Sequence, residues 1–213
     1  IYKSRYHLTL EENAQLNIIK DLKKEIEKSK FPKRNILENI LANLYWQYFK
    51  QNRYQFYRRT KTEVKADAID FRTWDLETLF TEIKTHFDNS LHNGLIVQQT
   101  DISQFEAIIT KGKDTKIYRP TLFDFLSHNA IEFYKTSENR IAQPAYKFTI
   151  DNASYLNTSE AFSKINITSK DSTSLQLQAL KVYQDLIKFH LKDKTPYALT
   201  DVNTERLDFI YYH

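Results

Sequence analysis

Asp124, His128 and Glu132 stand at four-residue spacing in "DFLSHNAIE". On a helix that spacing brings all three to one face. One imidazole with two carboxylates is a ligand set for a divalent ion, so an enzyme built on a bound metal is one reading. A plain polar helix face is the reading adopted, because no second ligand motif such as H-E-x-x-H accompanies it. His86 and His92 are six apart and point in different directions on a helix. Arg58, Arg59, Lys61 and Lys65 could hold a phosphate or an acidic partner. Glu63, Asp67 and Asp70 follow directly, which favours a solvated loop with local ion pairs. Arg119-Pro120-Thr121 with Asp124 could bind an anion at a helix N-terminus. The structural alternative is preferred: proline sets the start, Thr121 caps, and Arg119 pairs with a nearby carboxylate. There is no cysteine, hence no disulfide, thiol nucleophile or thiolate-held metal. No nucleophile elbow and no Ser-His-Asp order with supporting motifs occurs. The chain is read as non-enzymatic, with no cofactor and no metal.

The run "LANLYWQYFKQNRYQFYRRTK", Leu41 to Lys61, sets seven aromatics among five basic residues. It could stack on nucleic acid or glycan, offer a peptide groove, or pack as core. With Tyr54 at position 17 of a tetratricopeptide-like frame, Leu41, Leu44 and Tyr48 fall at large positions and Asn52-Arg53 in the turn. Tyr45 and Tyr57 occupy positions that should be small, and no second copy follows at a period of 34. A tetratricopeptide-like hairpin that uses most of these rings as packing is expected, with arginine and lysine reaching to solvent. Trp46, Arg53, Tyr57, Arg58 and Arg59 are the candidate interaction surface.

The elements that must carry these residues are helical. The chain has 213 residues, enough for a substantial core. Lys and Arg number 31 against 27 Asp and Glu, so the basic excess argues only weakly for nucleic acid. Two glycines exclude a glycine-rich phosphate loop and disfavour a turn-rich β fold. No run of roughly 18 apolar residues is present to span a membrane. Thr9 with Glu12 reads as a capping box opening a helix with Leu16, Ile19, Leu22 and Ile26 as its stripe. A second helix starts near Lys33 after Pro32. Asp75 caps a third, which Asn93-Gly94 closes in a left-handed turn. Asp101 with Gln104 starts a short helix, Thr121 with Asp124 caps another, and Asp171 begins "STSLQLQALKVYQDLIKFHLK". That helix carries two apolar stripes and should be covered on both sides. A short helix near Asn203 to Tyr212 ends the chain, and "PAYKFTI" lies extended in a long connector. The expected fold class is all-α: stacked antiparallel hairpins, a tetratricopeptide-like α-solenoid or an irregular helical array. One helical domain, 1–213, is expected, with 1–60 and 61–213 as the alternative subdivision.

The segments "ENILANLYWQYFKQNRYQFYRRT", "FRTWDLETLF", "YRPTLFDFLSHNAIEFY", "PAYKFTIDN" and "DSTSLQLQALKVYQDLIKFHLKD" resemble the helical N-terminal region of very large bacterial alpha-2-macroglobulin-like proteins. The resemblance extends over nearly the whole chain. It implies an envelope protein, facing the periplasm or the outer-membrane surface, with macroglobulin β-domains and in many members a protease-trapping thioester. The thioester needs a cysteine that this chain lacks. Trapping therefore attaches to no residue here, and target proteases and membranes would be reached only through other segments of a longer protein. The start at Ile1, inside what reads as a helix, fits a fragment.

The expected function is a non-catalytic helical scaffold and protein-interaction module of such a protein, with partner proteins or other domains of the same chain as ligands. The alternative is a nucleic-acid- or glycan-binding domain using Trp46, Arg53, Tyr54, Tyr57, Arg58 and Arg59.

Overall fold

The computed structural model describes residues 14–59, 70–110, 112–136 and 144–213. The Thr9–Glu12 capping box and Lys61, Glu63, Lys65 and Asp67 lie outside the described residues. The described residues form an all-α irregular helical array with no strand, only an isolated antiparallel bridge between Asp101 and Thr121. The chain packs as two compact units, Ile1–His92 and Asn93–His213.

The first unit holds α1 (Ala14–Lys28), α2 (Lys33–Tyr57) and α3 (Leu76–Leu91). On α1 the buried residues are Ala14, Ile18, Ile19 and Ile26, while Leu16 and Leu22 are only half-buried. The helix is thus rotated slightly from the expected stripe. Asp75 caps α3 as expected, its carboxylate accepting from Thr78 N at 2.8 Å. Asn93, with φ 63°, takes the left-handed position after α3, and Gly94 already opens the next helix. An asparagine tolerates that conformation, which leaves the glycine free for other use.

The tetratricopeptide-like hairpin does not form. α2 continues through Asn52 and Arg53 with a kink at Asn52 (φ −115°, ψ 17°). The Asn52 amide donates to the Tyr48 carbonyl at 2.9 Å, so a carbonyl freed by the kink stays satisfied. "QNR" has neither the glycine nor the proline that would reverse the chain. The main packing partner of α2 is α3, with α1 also against it. Asn35 at the start of α2 meets Ser90 and His92 near the end of α3, while Phe49 meets Phe80 near its start. The two helices therefore run antiparallel.

Rings fill the space between them. Phe49 and Phe80 are edge-to-face at 4.9 Å, Tyr48 and Phe71 at 4.8 Å, and Tyr45 and Phe71 at 5.3 Å. Each such pair contributes about 0.5–1.5 kcal/mol beyond its buried area. A polar seam runs alongside. Asn35 Nδ2 donates to the Ser90 and His92 carbonyls, and Asn39 Nδ2 to Ser90 Oγ at 3.2 Å. Glu38, 2% exposed, lies 2.6 Å from His86 Nδ1. Glu82, one turn before His86 on α3, takes Lys23 of α1 at 2.7 Å and lies 3.5 Å from His86 Nε2.

The second unit holds α4 (Gly94–Gln99), α5 (Thr115–Tyr118), α6 (Leu122–Tyr134), α7 (Ser159–Phe162), α8 (Leu175–His190) and α9 (Tyr197–Tyr212). α8 is central, with α6 and α9 packed on it. Its two apolar stripes explain this: Leu177, Ala179, Leu180, Tyr183, Leu186 and Ile187 are all buried. Asp171 does not open α8. Ser174 caps it, and the Asp171 carboxylate accepts from Phe148 N at 3.0 Å and Thr173 Oγ1 at 2.9 Å. The connector carrying "PAYKFTI" is thereby fastened without a strand. Gln184 adds donations to the Phe162 and Ile165 carbonyls. Arg206, 0% exposed, donates to the Tyr155 and Asn157 carbonyls and to Asn203 Oδ1, with its guanidinium over the Phe162 ring. α9 starts at Tyr197, six residues earlier than expected.

Two outcomes follow for the first unit, which contains both tryptophans. Trp74 is 1% exposed, whereas Trp46 is half-buried beside Phe49, Phe80 and Lys50. Trp46→Phe should therefore leave blue-shifted emission shielded from iodide, and Trp74→Phe should leave redder, more quenchable emission. The second outcome concerns pH. Burial lowers the His86 pKa, but hydrogen bonds and charge from Glu38 and Glu82 outweigh it and raise it above 6.5. Its contribution is complete below that ordinary value and is lost as pH rises through the raised one. The urea midpoint read by tryptophan fluorescence should fall as pH climbs from about 6 towards 9. In His86→Gln the midpoint should be lower and its pH slope flatter.

Candidate functional site

The second unit collects the titratable groups that could do chemistry, and it builds them around Asp124. Thr121 caps α6 with Asp124 at the third position. The Asp124 Oδ2 accepts from Thr121 N at 2.8 Å and Thr121 Oγ1 at 2.7 Å, and Asp124 N donates back to Thr121 Oγ1. This is the reciprocal capping box that the sequence suggested. Asp124 Oδ1 then accepts from His190 Nε2 of α8 at 2.7 Å, both side chains being fully buried. The other His190 nitrogen, Nδ1, donates to Asp193 Oδ2 at 2.7 Å. A ring that faces a carboxylate on each side carries both protons. Burial pulls the His190 pKa down, and bonding to Asp124 and Asp193 overrides that and raises it.

One turn along α6, His128 is 4% exposed. Its Nδ1 lies 2.8 Å from the Asp124 carbonyl oxygen. A carbonyl only accepts, so Nδ1 holds the proton and Nε2 carries the lone pair. Burial, followed by the nearby Arg119 charge, pushes the His128 pKa down to about 4. The ring is therefore neutral near pH 7. Its Nε2 is buried without a hydrogen-bond partner and stands 3.7 Å from Glu205 Oε2. Asp201 and Glu205 occupy one face of α9, four residues apart. Arg119 Nη2 donates to Glu205 Oε1 at 2.9 Å, and its Nε lies 3.9 Å from Asp201 Oδ2. Burial and then the Glu205 charge raise the Asp201 carboxyl. His128, Asp201 and Glu205 bring ligand atoms within 4.8 Å of one another.

The sequence placed Arg119 against a nearby carboxylate, and it stands there. The face Asp124–His128–Glu132 is not a ligand set. The Asp124 oxygens are engaged by Thr121 and His190, and Glu132 is solvent-exposed with Lys135 at 2.8 Å. The partners of His128 come instead from α9, more than seventy residues along the chain. The spacing "DVNTE" was the available signal, two carboxylates one helical turn apart, but nothing local points it at a histidine.

Beside this cluster lies a cleft of about 370 Å³, lined among others by Ile102, Ile109, Phe125, Glu106, Lys116 and Arg119. Sequence neighbours of its lining residues are exposed apolar groups, Ile108, Ile117 and Tyr118, and Tyr118 meets the exposed Tyr197 ring at 6.5 Å.

The sequence-derived surface of the first unit is divided. Trp46 and Tyr57 are half-buried, and Arg53 and Arg58 are exposed. Arg53 bonds the Tyr57 hydroxyl. Arg59 donates to the Trp74 carbonyl at 2.7 Å and covers the Phe56 ring at 4.5 Å, so it serves the fold. Tyr54, assigned to a core position of the hairpin frame, is 81% exposed because the helix continues through the expected turn.

Asp124→Asn keeps a cap acceptor and removes the charge facing His190. Breaking a buried ion pair by one partner costs about 3–5 kcal/mol. Hydrogen exchange of the α6 and α8 amides should accelerate accordingly, while the exchange of α2 and α3 stays unchanged.

Comparison with protein-family models, with curated proteins and with solved structures finds no match for this chain.

Proposed function

We propose that the chain is a non-catalytic helical scaffold and interaction module of a bacterial alpha-2-macroglobulin-like envelope protein. Its ligand is an apolar protein segment, supplied by another domain of the parent chain or by a partner protein. The observation that carries this reading is the cleft in the second unit, whose lining residues have the exposed Ile108, Ile117 and Tyr118 as sequence neighbours, with the exposed Tyr197 ring against Tyr118. Exposed apolar side chains beside a concave surface mark a protein-binding site more often than a random surface. The family and envelope context rest on the sequence resemblance. No helix among the described residues is long and apolar enough to cross a membrane, so membrane attachment would belong to other segments of the parent.

The interior placement of Tyr45, Phe49, Phe56 and Trp74 supports the same reading over the nucleic-acid or glycan alternative. Stacking on bases needs exposed ring faces. Of the aromatic run, Tyr54 alone is a large exposed ring, with Arg53 and Arg58 beside it in sequence.

A photo-crosslinking residue placed at Ile117, Tyr118 or Tyr197 in the parent protein, in its own cell, tests the proposal. Discrete adducts to a macroglobulin domain or to one partner protein are expected at these positions and not at the exposed control Glu132. Adducts no stronger than at Glu132 would overturn it. Steeply salt-dependent binding of single-stranded DNA, lost in Tyr54→Ala, would instead favour the alternative.

A further inference from the structure

The strongest unexplained feature is the His128 Nε2 lone pair. Its ring is pinned by the Nδ1–H donation to the Asp124 carbonyl, and the buried Nε2 stands 3.7 Å from Oε2 of the partly exposed Glu205. Both atoms are acceptors. What satisfies two such acceptors is a hydrogen donor or a cation between them. Buried polar atoms without a partner are uncommon in native proteins and ask for a reason.

We infer that His128, Asp201 and Glu205 form a binding site for a divalent transition-metal ion of the zinc class. The donor set is one imidazole nitrogen and two carboxylates, with all ligand atoms within 4.8 Å. Ligands at about 2.0–2.2 Å from a tetrahedral ion lie about 3.4 Å apart. The Nε2–Oε2 pair at 3.7 Å already approaches that, and an Asp201 oxygen lies within 4.8 Å of both. The supporting contacts are those a metal site requires. The outer nitrogen of the histidine donates to a backbone carbonyl, which sets its tautomer and direction. Arg119 holds Glu205 by Oε1 at 2.9 Å and leaves Oε2 turned to the histidine. The histidine is the buried floor, while Asp201 and Glu205 side chains keep 30% and 26% exposure at the rim. The ion can therefore arrive from solvent and retain a water. An imidazole ligand favours zinc over magnesium, and the absence of cysteine excludes a thiolate site.

The ion would bridge α6 and α9, two helices that both lean on α8. Its role is then a clamp, independent of whether the neighbouring cleft binds a protein.

The test is calorimetric titration of Zn²⁺ into the whole chain, produced without an affinity tag and stripped with chelator. One equivalent is expected, together with a raised melting temperature and far weaker binding of Mg²⁺. Asp201→Asn and Glu205→Gln, at the partly exposed rim, should each weaken Zn²⁺ at least about tenfold while the far-ultraviolet dichroism is kept. His128→Gln should do the same. Should that buried variant fail to fold, the imidazole ¹⁵N spectrum of the unaltered chain decides. Zn²⁺ must then shift the Nε2 resonance of a single histidine whose Nδ1 stays protonated. Less than one equivalent bound, unaltered affinity in Asp201→Asn and Glu205→Gln, or a shift confined to another histidine would overturn the assignment. The gap would then be bridged by a hydrogen donor within an Arg119 ion-pair network.

Discussion

Asp124 is the constraint on which the second unit depends. Its side chain is fully buried and its two oxygens serve different elements. Oδ2 closes the capping box that starts α6, and Oδ1 receives the His190 proton from the end of α8. Its backbone carbonyl orients His128. A carboxylate in this position is tolerable only because each oxygen meets a donor. The same residue thus decides where α6 begins, how α6 registers against α8, and which way the next histidine looks. Two histidines one contact away from it consequently take opposite states. His190 faces carboxylates on both sides and is held charged. His128 is held neutral by burial and then by the Arg119 charge, which together outweigh the opposing pull of the Asp124 carbonyl.

The first unit solves a similar problem with different materials. Its interior is rich in aromatics, and edge-to-face rings supply area without a strong preference for one axial register. The polar seam supplies that preference. Asn35, Asn39 and Glu38 on α2 each have one partner on α3, so sliding either helix by a turn would leave several buried polar groups unpaired. Arg206 plays the comparable part for the long connector of the second unit. It meets carbonyl oxygens with its guanidinium, and so replaces the water those carbonyls lost.

Arg119 joins two further features of the second unit. The cleft and the His128–Asp201–Glu205 cluster share Arg119 as a border residue. One cation therefore lines an apolar recess and orients a carboxylate at the same time. Its position follows from Pro120 and Thr121, which start α6 immediately after it, so the two features are placed by the same local chain geometry.

Much of the helical plan was legible in the amino-acid order, since caps and apolar periodicity are local. Asp75, and Thr121 with Asp124, act through bonds that span three residues or fewer. The double stripe of "LQLQALKVYQDLIKFHLK" marked α8 as covered on both sides, and so it is. Local signals misled where a residue had two competing uses. Asn52-Arg53 can turn a chain, but Asn52 instead bonds the carbonyl four residues back, and α2 continues. Asp171 can cap a helix, but it fastens Phe148 and leaves the cap to Ser174. What only the tertiary structure decided were the long-range pairs: Glu38 with His86, Asp124 with His190, and His128 with Asp201 and Glu205. The reason is physical. A carboxylate on a helix face has the same local pattern whether it meets water, a lysine or a buried imidazole. Which of these it meets depends on the desolvation and distance set by the packing of distant helices.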